Sequence, residues 1–276
     1  MNRQYPVIIT VRDRLSPLEQ LLEWLDNVGQ HDIWLCDNAS TYEPMVKFLA
    51  NTSHHVVHND RNLGHRAPWL SGLVAELGAD RPFVITDPDV VPCETCPGDA
   101  LDYFAETLHV HYDLDKVGFS LRLDDLPVHF AHRDSVIAWE RQFWTNEFKP
   151  GFYFAPIDTT FAVYRPGLGH LNSRSLRSQP PYEARHMPWY DNTAEPTPEQ
   201  AYYVAHADRL ISNWNSERIP ALVVEPEVLP DTLDADGGSA HWSPPSWPSR
   251  WCSLARTFAG MRSEFQFEIS RSACAT

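Results

Sequence analysis

Residues 5–36, YPVIITVRDRLSPLEQLLEWLDNVGQHDIWLC, read as a strand, a helix and a second strand. The run at 5–12 is short, apolar and β-branched, as a strand buried in a parallel sheet must be. Ser16-Pro17 opens the helix: Ser16 suits the N-cap, Pro17 the first turn and Glu19 the positive end of the dipole. Leu18, Leu21, Leu22 and Leu25 recur at helical spacing, and Gly29 ends the run. Residues 32–36 form the second strand, which leaves into the polar loop Asp37-Asn38-Ala39-Ser40.

The same alternation continues outward. A short helix is expected over 43–49, a weaker strand over 54–58, a helix over about 67–77 and a fourth strand over 82–86 (PFVIT). Strand and helix joined by short links are the pattern of a doubly wound parallel sheet, which binds ligands at the C-terminal ends of its strands. Three polar clusters fall there: Arg12-Asp13-Arg14, Asp37-Asn38 and Asp87-Pro88-Asp89. The dinucleotide fingerprint G-x-G-x-x-G is missing after the first strand, which argues against a Rossmann dehydrogenase. In the second half, strands are expected at 117–123 and 151–164, and helices at 133–144 and 199–211. A loop rich in Pro, Gly and Trp follows at 226–248. With no internal repeat and no low-complexity linker, one domain is expected over 1–276, made of a 1–115 half and a 116–276 half.

The bulk properties narrow the function. A chain of 276 residues with 43% hydrophobic and 21% charged residues is an ordinary globular protein. Its 23 prolines crowd the second half and predict long ordered loops there. A formal charge of −15 argues against a polymeric nucleic acid partner, which needs a basic surface. Nothing reads as a transmembrane span or a secretory leader. Five cysteines do not make a disulfide framework in a chain this long. The lone Cys93-x-x-Cys96 lacks a second pair for structural zinc and reads as plain thiols in a loop. A reducing cytoplasmic location fits best.

The acidic loop Asp87-Pro88-Asp89 carries the sharpest chemistry. Two carboxylates at alternate positions flank a proline, and such oxygen ligands suit Mg²⁺ or Mn²⁺, with a diphosphate filling the remaining coordination sites. A solvated turn would look the same in isolation; its place after the fourth strand gives it weight. The segment 7–92 resembles the nucleotide-sugar half of glycosyltransferase family 2, and of GT-A enzymes more widely. The resemblance rests on VIITVRD, LCDNAS, NLGHRAPW and VITDPDVVP. It covers about a third of the chain and is specific in combination, though no single motif is. Tyr42 stands where many members carry an acidic residue after the second-strand turn.

The resemblance implies a GT-A-like doubly wound mixed sheet with helices on both faces, its N-terminal half binding the nucleotide and its C-terminal half the acceptor. It implies a metal-dependent glycosyltransferase that moves a sugar from a nucleotide-diphosphate donor, by family habit a UDP-sugar, to a glycan or other hydroxyl acceptor, with Mn²⁺ or Mg²⁺. Asp37 maps to the base or ribose contact, and Asp87 and Asp89 to the metal. Thr10, Arg12, Asn38 and Arg66 complete the candidate nucleotide-sugar set, Arg66 because it lies near a helix start whose amides favour anions. His186 is the candidate third metal ligand, beside aromatics able to stack on a sugar. Asp158 lies in an otherwise apolar, aromatic or hydroxylic run, where a charge must be paired, solvated in a cleft or shifted in pKa. An inverting transferase needs a carboxylate as base, and Asp158 is the candidate; the other reading is a buried acid bonded to Thr159, Thr160 or backbone amides.

Asp124-Asp125 either lines the acceptor side or caps a turn, and His129-x-x-His132 lacks a further ligand. The tryptophans at 242–251 cap the second half or face a lipid-linked acceptor at a membrane surface. Two rivals remain. A nucleotidyltransferase is disfavoured because Arg12-Asp13-Arg14-Leu15-Ser16-Pro17 stands where a glycine-rich basic loop belongs. A non-catalytic carbohydrate-binding protein is disfavoured by the intact Asp-x-Asp.

Overall fold

The computed structural model describes residues 3–167 and 174–207. At its centre β1 (Val7–Val11) is buried throughout, and its side chains alternate between two cores. Val7, Ile9 and Val11 pack with Leu18, Leu21 and Leu25 of α1 (Leu15–Asn27). After β2 (Ile33–Asp37), α2 (Glu43–Asn51) adds Met45 and Leu49 to that core. The chain then runs through β3 (His55–His58) and changes face. Ile8 meets Leu73, Val74 and Leu77, which follow α3 (Ala67–Leu70) as α4 (Leu73–Leu77), and Phe83 and Ile85 of β4 (Phe83–Thr86) join them. The expected α/β architecture is present: a doubly wound sheet with helices on both faces.

The later elements make the sheet mixed. After β5 (Val90–Pro92), α5 (Ala100–Val110) returns to the α1 face through Phe104 and Leu108. Then come β6 (Lys116–Gly118), β7 (Ser120–Leu121), α6 (Arg133–Glu140), β8 (Glu147–Lys149), β9 (Phe152–Phe154), β10 (Ala162–Tyr164), β11 (Ser175–Ser178), β12 (Glu183–His186) and α7 (Pro198–His206). The main sheet has the order β3-β2-β1-β4-β10-β6-β11-β9-β8. β1 runs parallel to β2 and β4, while β10 is antiparallel to both β4 and β6. A small sheet, β5-β12-β7, stands beside it. No helix of the described residues is long and apolar enough to cross a membrane.

Several expectations are corrected. The helix expected at 67–77 is a 3-10 turn at Gly64–Arg66 followed by two short helices, because Gly72 takes φ 88° between them. The strand expected at 151–164 is two strands, β9 and β10, with an irregular segment at 155–161 that carries Asp158. β11, β12 and α5 had no clear sequence signal: the strands are short and carry charged residues, and α5 follows a loop dense in Cys and Pro. The helix expected at 199–211 is α7, and its last residues, with the Trp-rich segment 226–248, lie outside the described residues.

Ser16 is not the cap of α1. The helix starts one residue earlier, at Leu15, and its cap position, Arg14, gives no side-chain bond. Instead Glu199 of α7 accepts from the Leu15 N–H at 3.0 Å, the Ser16 N–H at 3.1 Å and the Ser16 hydroxyl at 3.2 Å. A carboxylate from a distant helix thus satisfies the first amides of α1 and complements its dipole. Glu199→Ala is expected to lower stability by about 1 kcal/mol, read as a fall in the urea midpoint at an unchanged m-value. An unchanged midpoint would count against the cap.

Candidate functional site

The strand order reverses between β1 and β4, so the crevice beyond their carboxyl ends is where a doubly wound sheet binds ligands. Backbone strain gathers there. The two described non-glycine residues with positive φ are Asp13 at 53° and Ala39 at 59°, one after β1 and one after β2. Asp13 is buried and accepts from the Thr41 and Tyr42 N–H groups at 2.6 and 2.7 Å, which joins the end of β1 to the start of α2. That side chain builds the crevice wall; its sequence context placed it in the polar cluster 12–14 at the strand end but gave it no role.

Asp87 and Asp89 follow β4 into this crevice. Asp87 accepts from the Thr159 hydroxyl at 3.2 Å. Burial pushes its carboxyl well up from the usual range, and the neighbouring carboxylates of Asp89 and Asp158 add to the shift. Asp89 is buried and faces the Arg14 guanidinium and the His186 ring: Arg14 Nε lies 3.4 Å from Oδ2, and His186 Nε2 lies 3.8 Å from Oδ1. His186 ends β12, burial pushes its pKa down, and its Nδ1 has no hydrogen-bond partner.

Arg14, which the sequence marks only as part of the polar cluster 12–14, has a specific place in the crevice. Its guanidinium lies 3.8 Å over the Tyr203 ring, and Nη1 donates to Gln200 at 3.4 Å, so α7 holds it against Asp89. The signal was its place directly after β1.

The 155–161 segment brings Asp158 to the same end of the sheet. Its side chain is exposed, so the alternative of a buried structural acid is corrected: solvent supplies what bonds to Thr159 and Thr160 were expected to supply. Its backbone carbonyl accepts from Lys116 Nζ at 3.1 Å and from the Tyr164 hydroxyl at 3.3 Å. Lys116 is buried, and burial pushes it down to about 8 against the pull of Asp158 and Asp115. This anchor was also missed, because a lysine between Asp115 and an apolar pair reads as a surface residue.

The remaining candidates divide. Thr10 is buried at the end of β1 and its hydroxyl has no partner. Asp37 is buried, accepts from the Ser40 N–H at 2.9 Å and lies 2.9 Å from His58 Nδ1. Asn38 is engaged by its own fold, donating to Asn62 and Gly64 and accepting from the Leu63 N–H. Arg12 donates to the Asn38 carbonyl at 2.8 Å. Arg66 is exposed and belongs to the 3-10 turn, and the helix after it has four residues, too few to supply the expected dipole. Of the aromatics beside His186, Trp189 is core: it is buried with its ring 4.8 Å from that of His186. Asp124 pairs with Arg122, and Asp125 with Arg185. Cys93 and Cys96 are free thiols.

The donor set fits a divalent cation only in part. Among the described residues no group of three His, Cys, Asp or Glu side chains converges on one point. What is present is a half-buried Asp87 repelled by the buried Asp89 and the exposed Asp158, beside a histidine with an orphaned ring nitrogen. A hard cation bound through one or two carboxylates, with phosphate oxygens for the rest, suits such a set.

A solved structure matches part of the chain. The chain is similar to glucosyl-3-phosphoglycerate synthase from Mycobacterium tuberculosis, solved in complex with phosphoglyceric acid, at 14% identity and a TM-score of 0.37. The match covers 59% of this chain and 57% of that one, so this chain spans little more than half of its counterpart's length. No protein-family model and no curated protein sequence matches the chain. A likeness at this level bears on no residue of the crevice, whose chemistry stands on its own geometry.

Proposed function

We propose that the protein is a glycosyltransferase that takes a sugar from a nucleotide-diphosphate donor, a UDP-sugar, and passes it to a hydroxyl acceptor with inversion. The observation that carries this reading is the gathering of Asp87, Asp89 and Asp158 at the switch point of the sheet, with Arg14 and His186 against Asp89. Three carboxylates in one place destabilise a fold unless a cation or a proton offsets their charge, and such clusters are characteristic of functional sites.

In this reading Thr10 and Asp37 meet the nucleoside at the ends of β1 and β2. Asp87 and Asp89 would hold Mn²⁺ or Mg²⁺, with His186 as a further ligand; the ion would supply positive charge to offset that of the diphosphate. Arg14, fixed by Tyr203 and Gln200, adds positive charge beside the leaving group at no cost in reorganisation. Asp158, solvated and anchored through its carbonyl, takes the proton from the acceptor hydroxyl as that oxygen attacks the anomeric carbon. The direct displacement inverts that carbon.

Titration calorimetry with UDP tests the donor site. Binding should appear with Mn²⁺ and nearly vanish with a chelator, since an acidic crevice repels a bare diphosphate. Asp89→Asn should lose the Mn²⁺-dependent affinity by about tenfold or more, the effect of removing one charged ligand, while its circular dichroism stays that of the wild type. Equal UDP affinity with and without metal would overturn the metal assignment.

A further inference from the structure

The donor crevice leaves unused a cavity of about 320 Å³ with walls from α1, β5 and the end of β12. It adjoins the acidic cluster: Val91 on its wall is two residues past Asp89, and the Met187 N–H on the same wall donates to the Asp89 carbonyl at 2.8 Å. The volume sits at the lower end of the roughly 300–1,000 Å³ typical of small-ligand sites. It suits one sugar ring and is too small for a nucleotide sugar.

The polar lining is a fixed network. Arg185 Nη1 grips both oxygens of Glu94 at 2.7 Å, and its Nε donates to Asp125 at 2.8 Å. The Tyr190 hydroxyl donates to the other Asp125 oxygen. Arg185 holds Glu94 below the usual carboxylate range, and burial with the Asp125 bond pushes the Tyr190 phenol up, so Tyr190 remains the donor in its bond to Asp125.

Two consequences follow. Asp125 also lies 3.4 Å from Arg122 Nε, which is itself paired with Asp124, so two guanidinium groups are shared by three carboxylates. The network keeps one net negative charge, and Arg185 presents no uncommitted charge to an anion. The lone pairs left on Asp125, Glu94 and the Tyr190 oxygen are acceptors, which call for O–H donors from the ligand. Val91 and Met187 offer apolar surface to the C–H face of a ring. Side chains already locked to one another lose little freedom when a ligand arrives.

We propose that this cavity binds a neutral, polyhydroxylated ring, the acceptor sugar of the transfer proposed above, and discriminates against phosphorylated or carboxylated acceptors. The identification as acceptor site rests on that reading; the preference for a neutral ring rests on the cavity alone.

Saturation-transfer NMR on the full chain tests it, using the methyl α-glycosides of glucose, mannose and galactose, and glucose 6-phosphate as the anionic probe. At least one methyl glycoside should bind, and glucose 6-phosphate should bind about tenfold more weakly or worse, as a charge facing uncompensated carboxylates does. Tyr190→Phe and Asp125→Asn should each weaken glycoside binding by about tenfold, the worth of a hydrogen bond to a charged network. Tyr190→Phe keeps the ring and its packing, so it covers the case in which Asp125→Asn fails to fold. Failure of every glycoside to bind the wild type, equal binding of glucose 6-phosphate, or wild-type binding by a folded Tyr190→Phe protein overturns the proposal. Mn²⁺-dependent UDP binding, read on the same wild-type sample, separates the two readings. Its absence alongside glycoside binding removes the transferase and leaves the cavity's ligand standing.

Discussion

Asp87→Asn should melt higher than the wild type in metal-free buffer and yet lose Mn²⁺-dependent UDP binding almost entirely. Asp87 is half-buried beside two other carboxylates, and among the described residues the Thr159 hydroxyl and the Arg14 charge relieve it. Its folded pKa is raised, so without metal the folded state holds a proton that the unfolded state releases. The sign follows from linkage: below the unfolded value of about 4 the group is neutral in both states. As pH rises through the folded value, Asp87 makes the metal-free protein progressively less stable. Asparagine does not titrate and still accepts from Thr159, so the melting-temperature gap should open in the variant's favour as pH rises. Each 1 kcal/mol relieved corresponds to about 2–4 °C in a chain of this size. Adding Mn²⁺ and UDP should raise the wild type by mass action and leave the variant where it was. A variant that melts lower at every pH and keeps its UDP affinity would show Asp87 to be a structural acid.

The fold was legible where the chain obeys one period at a time. The leucines of α1 and the β-branched run of β1 each bury a face that their spacing announces, and the four parallel strands were placed on that basis. Legibility failed where short elements depend on distant partners. β12 has four residues, two of them charged, and is a strand because β5 and β7 lie on either side of it. The cap of α1 was misread for the same reason: Ser16 has the right chemistry, but Glu199 reaches the amides from far along the chain. In the site, Asp87 and Asp89 were visible because their loop follows an apolar strand. Arg14, Thr159 and Lys116 act through contacts with residues far along the chain, which no local pattern encodes. The same limit hid the Arg185–Asp125–Tyr190 network, since Asp125 alone reads equally well as a turn.

Asp158→Asn should lower kcat by about 10²–10⁴-fold, the usual contribution of a positioned acid or base, while donor affinity and fold persist. The geometry separates the side chain from the scaffold. Lys116 and Tyr164 hold the carbonyl of Asp158, which the substitution keeps, and the exposed carboxylate makes no bond that the fold needs. Removing its charge also relieves Asp87, so the metal-free variant should melt no lower than the wild type, with any gain growing as pH rises. Because a base acts chiefly in the transition state, the Kd for Mn²⁺ and UDP should hardly move. A thermal-shift screen of nucleotide sugars with Mn²⁺ supplies the donor, and kcat, Kd and Tm are then read on one preparation. A fall in Tm with parallel loss of binding would mark a structural residue. Full kcat in a stable variant would remove Asp158 from the reaction and turn attention to Asp191, whose burial raises its pKa close to Arg14 and Asp89.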